Sequence, residues 1–228
     1  MSDSGGTGRI DAVHREVGSR RVDGAEARTV LLRRTYDAPV GEVWDACTDR
    51  ERVSRWFVPV SGELKPGGHY LLEGHAHGEV LRCEAPRLLR LSWLFGDDPD
   101  FGEVELRLTA EGGADGDGAD GESDGDERTV LELEHVSVVP DEVWEHFGPG
   151  ALGLVWDLTA LGLHFHLLDG PADDLAAWRE SDEARELMTR SSEAWGAAYE
   201  ASGAPADVVA EAVSNTTAFY VRPREDAE

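Results

Sequence analysis

The chain has 228 residues, of which 40% are hydrophobic, and this is enough for one sizeable core with room for an appended subdomain. Its formal net charge of −26 disfavours nucleic acid and anionic membrane surfaces as partners, because phosphate groups would be repelled. No apolar run reaches the roughly 18 residues that span a bilayer, and the first residues do not resemble a secretory signal. We therefore expect an intracellular, cytoplasmic protein.

The first half of the chain begins with a hairpin pattern. Residues 1–9 are rich in Gly and Ser, so we expect them to be disordered. Two strand-like runs follow, at residues 12–22 and 27–36, and they flank Asp23-Gly24. A D-G pair between such runs predicts a β-hairpin.

Two short helices are predicted next. Asp37 is a candidate N-cap and Pro39 a favourable first-turn residue for a helix over residues 39–47. Thr48 or Asp49 then caps a second helix, which ends near Trp56-Phe57.

Alternating apolar and charged residues indicate half-buried antiparallel strands in the middle of the chain. In one of them Val104, Leu106 and Leu108 alternate with charged residues, which predicts one buried face and one solvated face. The predicted strands cover residues 69–73, 79–84, 88–95, 101–109 and 130–136.

An acidic segment separates the last two strands. Residues 111–127 contain eight acidic residues and six glycines, so they cannot bury apolar surface, and we predict a disordered hairpin loop. The Asp115-x-Asp117 pattern begins like a calcium loop, but Ala119 stands at the third ligand position, which favours a solvated loop.

The remainder of the chain is predicted to be helical. Residues 150–168 are apolar nearly all round, which indicates a helix buried on more than one side. Residues 171–228 contain two further amphipathic patterns, separated by Ser202-Gly203 and Pro205, and we read them as a C-terminal helical extension. We expect that removing everything after Gly170 would expose apolar surface and cause aggregation or the loss of a dimer.

Several short motifs, in this order, resemble one protein family. The opening motif of that family is similar to the run Thr35-Tyr36-Asp37-Ala38-Pro39-Val40 followed by Val43-Trp44 in this chain. Later motifs that resemble the family are Arg55-Trp56-Phe57, Gly67-Gly68-x-Tyr70, Gly78-Glu79-Val80-Leu81, Pro86-x-x-Leu89-x-x-Ser92-Trp93, Leu131-x-Leu133-x-His135 and Gly153-x-x-Trp156. The chain thereby resembles the START-like (SRPBCC) superfamily, in its activator-of-heat-shock-protein-90-ATPase-like branch.

The resemblance implies an α+β helix-grip fold, in which a curved antiparallel sheet wraps a long helix and encloses a cavity. It implies this domain for residues 10–170. It also implies binding of a small hydrophobic molecule, with a polyketide cyclase-like enzyme or a co-chaperone-like interaction domain as alternatives. No cofactor is expected, and the sequence leaves a homodimer and a chaperone partner open.

Candidate pocket residues combine aromatic side chains, which suit an apolar ligand, with a few polar groups. His135 follows Leu131 and Leu133 at period two, so we expect its ring to point into the cavity. The candidates are Trp56, Phe57, Tyr70, Glu73, Trp93, Phe95, His135 and Trp156.

Catalytic and metal-binding chemistry is less well supported by the sequence. Tyr70, Glu73, His75, His77, Glu79 and His135 are candidate acid–base or hydrogen-bonding groups, but no nucleophile–base pair can be placed by spacing alone. His75-x-His77 lies between glycines and is read as a solvated turn, so no metal site is predicted. Cys47 and Cys83 show no CxxC spacing and are expected to be reduced, partly buried thiols.

Overall fold

The computed structural model describes residues 12–96, 101–111, 128–168, 178 and 181–221. Eight strands form one antiparallel sheet in the order β1-β2-β8-β7-β6-β5-β4-β3. The strands are β1 (His14–Val22), β2 (Ala25–Tyr36), β3 (Val60–Gly62), β4 (His69–Leu72), β5 (Ala76–Glu84), β6 (Leu88–Ser92), β7 (Gly102–Ala110) and β8 (Thr129–Ser137).

Six helices accompany this sheet within the described residues. They are α1 (Val40–Thr48), α2 (Arg50–Trp56), α3 (Asp141–Phe147), α4 (Gly150–Leu167), α5 (Asp182–Ala201) and α6 (Ala206–Tyr220). The α+β helix-grip architecture predicted from the sequence is confirmed, with α4 as the long helix that lies against the sheet. None of the helices within the described ranges is long and apolar enough to cross a membrane.

The central strands alternate between a buried and a more exposed face, as their sequences predict. Val104, Leu106 and Leu108 of β7 are buried, and the charged residues between them are not. In β8, His135 pairs in register with Val30 of β2 and with Val104 of β7. The period-two pattern therefore places the His135 ring on the same inward face as the apolar side chains of its neighbours.

Helix α4 is covered from two directions, which accounts for its largely apolar sequence. Its residues Trp156, Ala160 and Leu163 belong to the main core beneath the sheet. On the other side, Leu161 packs with Leu187, and Leu154 packs in a cluster with residues of α5. The helical extension predicted for residues 171–228 thus supplies the second layer over α4.

A buried polar cluster fixes α4 relative to β1 and α5. Asp157 of α4 is 3% exposed, and its carboxylate accepts hydrogen bonds from the Arg15 guanidinium, with Nε 3.1 Å from Oδ2. It also accepts from the Ser191 hydroxyl and from the Trp195 indole, at 3.1 Å. Burial raises the pKa of Asp157, and Arg15 and the hydroxyl and indole donors oppose that rise.

Close packing accompanies this cluster. Trp195 is 1% exposed and belongs to the main core. It lies so near α4 that a Cβ built on Gly153 would stand 2.2 Å from its Cε2 atom. The helix can approach the indole only because residue 153 has no side chain.

The structure corrects several predicted boundaries in the first half of the chain. Helix α1 is capped by Pro39, with no side-chain hydrogen bond, whereas Asp37 accepts a hydrogen bond from Arg128 at 2.9 Å. Asp49 caps α2 by accepting from the Arg52 N–H at 2.9 Å, as one of the two predicted alternatives. The Asp23-Gly24 turn forms as predicted, with positive φ at both residues.

Other differences concern elements that the periodicity did not reveal. Strand β5 begins at Ala76, so His77 lies inside a strand and not in an exposed turn. Strand β6 ends at Ser92, and only an isolated bridge between His77 and Leu94 continues the predicted strand. Strand β3 has three residues and α3 has seven, which is too short for a periodic pattern.

Parts of the predicted domain organisation cannot be compared with the structure. Residues 1–9, most of the acidic segment 111–127, and residues 169–177 lie outside the described residues. The division into a domain over residues 10–170 and an extension over 171–228 therefore remains a prediction.

Candidate functional site: two compartments between the sheet and the long helix

An inner chamber lies between α4 and the sheet, and α2 contributes to its wall. It offers about 120 Å³ of space to the centre of a water-sized sphere. Most of the side chains around it are apolar. They are Leu32, Tyr36, Cys47, Val53, Trp56, Phe57, Val60, Leu64, Tyr70, Leu72, Leu89, Leu91, Trp93, Val104, Leu106, Leu131, Leu133, Trp156, Thr159, Ala160 and Leu163.

Several polar groups in the chamber wall are already hydrogen-bonded within the fold. The Tyr36 hydroxyl donates to the Ala160 carbonyl at 2.9 Å, and the Tyr70 hydroxyl donates to the Ser92 carbonyl at 2.6 Å. The Trp56 indole donates to the Ala46 carbonyl at 3.0 Å. Burial raises the pKa of both tyrosines, so their hydroxyls stay protonated and remain in these bonds.

Cys47 is the one cysteine that borders the chamber. Burial raises the pKa of its thiol to about 12, so it remains a protonated thiol and a weak nucleophile. Both Cys47 and Cys83 are free and half-buried, as expected from the sequence.

Trp93 and Trp156 line this chamber and also a second space beside it. Their ring centroids are 5.2 Å apart with an interplanar angle of 51°. Trp93 follows β6, and its carbonyl would lie 2.1 Å from a Cβ built on Gly102, so the glycine allows this part of the chain to approach β7. The two indoles form a shared wall between the compartments.

The second space, called here the outer compartment, is larger and offers about 400 Å³ by the same measure. It is bounded by the ends of β6 and β8, by the segment that leads into α3, and by the first half of α4. Its lining residues are His75, Trp93, Phe95, His135, Ser137, Val138, Val139, Pro140, Val143, Ala151, Leu152, Val155 and Trp156.

His135 is the most deeply buried polar side chain of the outer compartment. It is 5% exposed, and its Nδ1 atom accepts a hydrogen bond from the Trp156 indole at 3.1 Å. Burial, and to a smaller extent the nearby His75, lower the pKa of His135 to about 4. The imidazole is therefore neutral at neutral pH.

His75 is the second imidazole of this compartment; the sequence named it as a candidate acid–base group but favoured a solvated turn for it. It lies in the turn between β4 and β5, half-buried, with its ring 4.9 Å from that of Phe57 and 5.8 Å from that of Trp93, measured between centroids. Burial lowers its pKa. The flanking glycines suggested a solvated turn, and no local pattern indicated the aromatic side chains that surround the ring.

The structure distributes the remaining predicted pocket residues between the two compartments. Trp56, Phe57 and Tyr70 line the inner chamber. Phe95 lines the outer compartment although it is 66% exposed. Glu73 is exposed in the turn after β4 and lines neither space, so its predicted place in the pocket is corrected.

Glu73 lies outside because the strand ends before it. Strand β4 stops at Leu72, and the Glu73 N–H donates to the Pro59 carbonyl at 3.0 Å. The alternation that points Leu72 inward therefore turns Glu73 outward. Among the described residues, no group of His, Cys, Asp or Glu side chains is placed to hold a metal ion.

Comparison with known proteins identifies the family. Residues 37–115 match the family model described as Activator of Hsp90 ATPase homolog 1-like protein. The crystal structure of CalU16 from Micromonospora echinospora is 34% identical and has a TM-score of 0.61, covering 83% of this chain and 99% of CalU16. The solution NMR structure of CalU16 gives 35% identity, the same TM-score, and coverage of 84% and 97%.

The chain belongs to the activator of Hsp90 ATPase homolog 1-like family. This confirms the resemblance drawn from the motifs between Thr35 and Trp156. DynU16, a protein of the dynemicin biosynthetic locus, is 28% identical over 58% of this chain and 46% of its own, with a TM-score of 0.43. A search of curated proteins gave no match.

Membership of this family is consistent with ligand binding and does not specify a reaction. An HSP90 activator from Plasmodium falciparum, PFC0360w, is 21% identical over 49% of this chain and 74% of its own, with a TM-score of 0.39. A likeness at that level does not extend to function. The function of this chain has to be argued from its own two compartments.

Proposed function

We propose that this protein binds a small hydrophobic molecule in the inner chamber. The observation that supports this is the chamber wall itself, which is built from apolar side chains of the sheet, α2 and α4, with its tyrosine hydroxyls and the Trp56 indole turned into internal hydrogen bonds. An apolar cavity of roughly 150 Å³ is known to stay dry and to accept benzene. A chamber of about 120 Å³ therefore suits one small ring or a short branched chain.

Benzene is a suitable first probe of this proposal, because it has the size and the polarity of the chamber. Methyl NMR signals of chamber leucines, such as Leu106 and Leu131, should shift on titration with benzene. Ala160→Leu would fill the chamber from α4 and should abolish the shifts.

Ala151→Leu is the matched control for that experiment. Ala151 lies on the same helix but borders the outer compartment, so this variant should leave benzene binding in the chamber intact. Binding that Ala160→Leu leaves unchanged, or no binding at millimolar benzene, would contradict the proposal. Native mass spectrometry of the protein from its own host would then identify the natural ligand.

An enzyme acting in the same cavity is the second candidate, and the observation that favours it is the pair of imidazoles in the outer compartment. A general base works best when its pKa lies near the working pH. Burial lowers the pKa of His135 to about 4, which makes it a weak base and better suited to donate a hydrogen bond. His75 is the better candidate base, and turnover that His75→Gln abolishes would support this alternative.

A third possible function is that of a co-chaperone-like interaction domain. Its support is the description of the matching family as Activator of Hsp90 ATPase homolog 1-like. It predicts capture of a purified Hsp90 protein that is unaffected by Ala160→Leu, since an interaction surface does not need the chamber. Capture that depends on an open chamber would favour ligand binding as the primary role.

A further inference from the structure

The hydrogen bond between Trp156 and His135 fixes which nitrogen of the imidazole carries its proton. An indole N–H can only donate, so the His135 Nδ1 atom that receives it must be unprotonated. In a neutral imidazole the proton is then on Nε2. Trp156 thereby turns His135 into a hydrogen-bond donor at Nε2.

That donor has no partner among the residues that the structure describes. The Trp156 bond is the one hydrogen bond recorded there for the His135 side chain, and the ring is 5% exposed and lines the outer compartment. Nε2 is not among the fully buried side-chain atoms that lack a partner, so it is accessible from the space of the outer compartment. An acceptor that enters the compartment can therefore reach this donor.

The surroundings of the donor restrict the kind of acceptor. The walls are mainly aromatic and aliphatic, and the described lining includes neither Lys nor Arg to neutralise an anion. The chain also carries a net charge of −26. A carboxylate or phosphate would therefore be disfavoured, and a neutral carbonyl oxygen fits the electrostatics better.

We propose that the outer compartment is the subsite for an uncharged, carbonyl-bearing part of the ligand, whose oxygen accepts a hydrogen bond from His135 Nε2. Trp93 and Trp156 line both spaces, so an apolar part of the same molecule can contact the indole wall from either side. This inference rests on the proposed function, because it assigns the polar end of a ligand whose apolar end the chamber accepts.

The tautomer can be measured without any variant of His135. Long-range ¹H–¹⁵N NMR of histidine-labelled protein should show His135 with Nδ1 unprotonated and a proton on Nε2. In Trp156→Phe the donor to Nδ1 is lost, and the signal should move toward a mixture of tautomers. A proton on Nδ1 in the wild-type protein would overturn the proposal.

Recognition of the carbonyl can be tested with two probes of similar shape, acetophenone and isopropylbenzene, of which only the first has an acceptor. His135→Asn is the informative variant, because its amide oxygen stands near the position of Nδ1 and can still accept from Trp156, while no donor reaches the position of Nε2. The affinity ratio of acetophenone to isopropylbenzene should fall about 3- to 10-fold in this variant, the effect of one hydrogen bond.

His69→Asn serves as the control, because it makes the same substitution at an exposed histidine that lines neither space, and it should leave that ratio unchanged. An unchanged ratio in His135→Asn, or failure of both probes to bind the wild-type protein, would overturn the subsite. Benzene binding that Ala160→Leu blocks is a separate measurement, so failure here is distinguishable from failure of the proposed chamber.

Discussion

His135 and Trp156 form a hydrogen-bonded pair. Burial, and not a neighbouring carboxylate, determines the protonation state of the His135 ring. The imidazole lies between β8 and α4, and burial is the larger cause of its lowered pKa of about 4, with the charge of His75 second. A neutral ring can accept from Trp156, whereas a protonated ring could not. The hydrogen bond and the charge state of His135 are therefore linked.

This linkage predicts a loss of stability in mild acid. His135 titrates near 6.5 when unfolded and about 4 when folded, so the unfolded chain binds the proton first as pH falls. The contribution of His135 to the free energy of unfolding is fully present above about pH 6.5. About 3 kcal/mol of it is lost as the pH falls toward 4. His75 acts in the same direction.

Urea unfolding at several pH values between 7 and 4.5 would measure this effect. The free energy of unfolding should fall less steeply with pH in His135→Asn than in the wild-type protein, because the variant has no proton to bind at residue 135. Other groups titrate in both proteins and cancel in the comparison. Identical slopes would contradict the prediction.

Asp157 is the second residue whose environment decides stability. Its carboxylate is shared by the Arg15 guanidinium and by donors from α5. Removing one partner of a buried ion pair leaves the other charge uncompensated, which costs about 3–5 kcal/mol. We predict a loss of this size for Asp157→Asn in chemical denaturation.

Glu132→Gln provides the comparison for Asp157→Asn. Glu132 pairs with Arg33 at 2.6 Å on the solvated face of the sheet, where an ion pair contributes about 0–1 kcal/mol. Equal losses in the two variants would show that Asp157 is not the centre of a buried cluster.

These residues also show how far sequence reasoning reaches. The inward direction of His135 follows from its spacing to Leu131 and Leu133, and that prediction agrees with the structure. Its bond to Trp156 joins a strand to a helix 21 residues later, and no local period encodes such a contact. The role of Asp157 could not be predicted either, because its partners Arg15 and Ser191 are distant in sequence.

At the scale of elements, periodicity was most informative for long segments. Strands β7 and β8 and helix α4 were predicted to within a few residues, and the break between α5 and α6 was predicted from Ser202-Gly203 and Pro205, because each element presents a regular apolar face over several turns or pleats. The apolar sequence of α4 indicated burial on several sides. It could not indicate that α5 covers the side that faces away from the sheet.

The contact between α4 and α5 can be tested with one methyl group. Gly153→Ala would place a Cβ 2.2 Å from Trp195, and rigid neighbours make such overpacking cost about 1–3 kcal/mol. We therefore predict a lower free energy of unfolding for this variant, although Ala is the better helix former.

Gly41→Ala is the matched control for Gly153→Ala. Gly41 is also helical, but a Cβ there would meet nothing within 4 Å, so the change should be neutral or stabilising by up to about 1 kcal/mol. If both variants behave alike, the fit of Trp195 against α4 is looser than the structure indicates.

At the scale of the whole molecule, the helices after residue 180 are integrated with the sheet domain. Helix α5 contacts both β1 and α4, and Trp195 lies within the main core. Residues 37–115 carry the family match, whereas the second cover of α4 comes from the C-terminal helices. The predicted aggregation of a chain ending at Gly170 follows from this arrangement.

The acidic segment joins two strands that pair directly with each other. Residues 112–127 lie outside the described residues, but the strands on either side pair up to Ala110 and Thr129. The Glu111 N–H also donates to the Arg128 carbonyl at 2.8 Å. The two ends are therefore adjacent, and a short turn can connect them.

We predict that replacing residues 112–127 with a turn of about four residues leaves the melting temperature nearly unchanged. Loop-closure entropy depends only weakly on length, and the shorter loop slightly favours folding.

The deletion also removes seven acidic residues from a chain of net charge −26, which lessens self-repulsion, so stability should depend less on salt. A loop of the original length with Ser in place of each acidic residue separates charge from length, because it should show the reduced salt dependence alone. Thermal unfolding at about 10 mM and 500 mM NaCl would measure both effects. A fall of more than about 10 °C for the short loop, several kcal/mol in a domain of this size, would instead assign the segment a structural or ion-binding role.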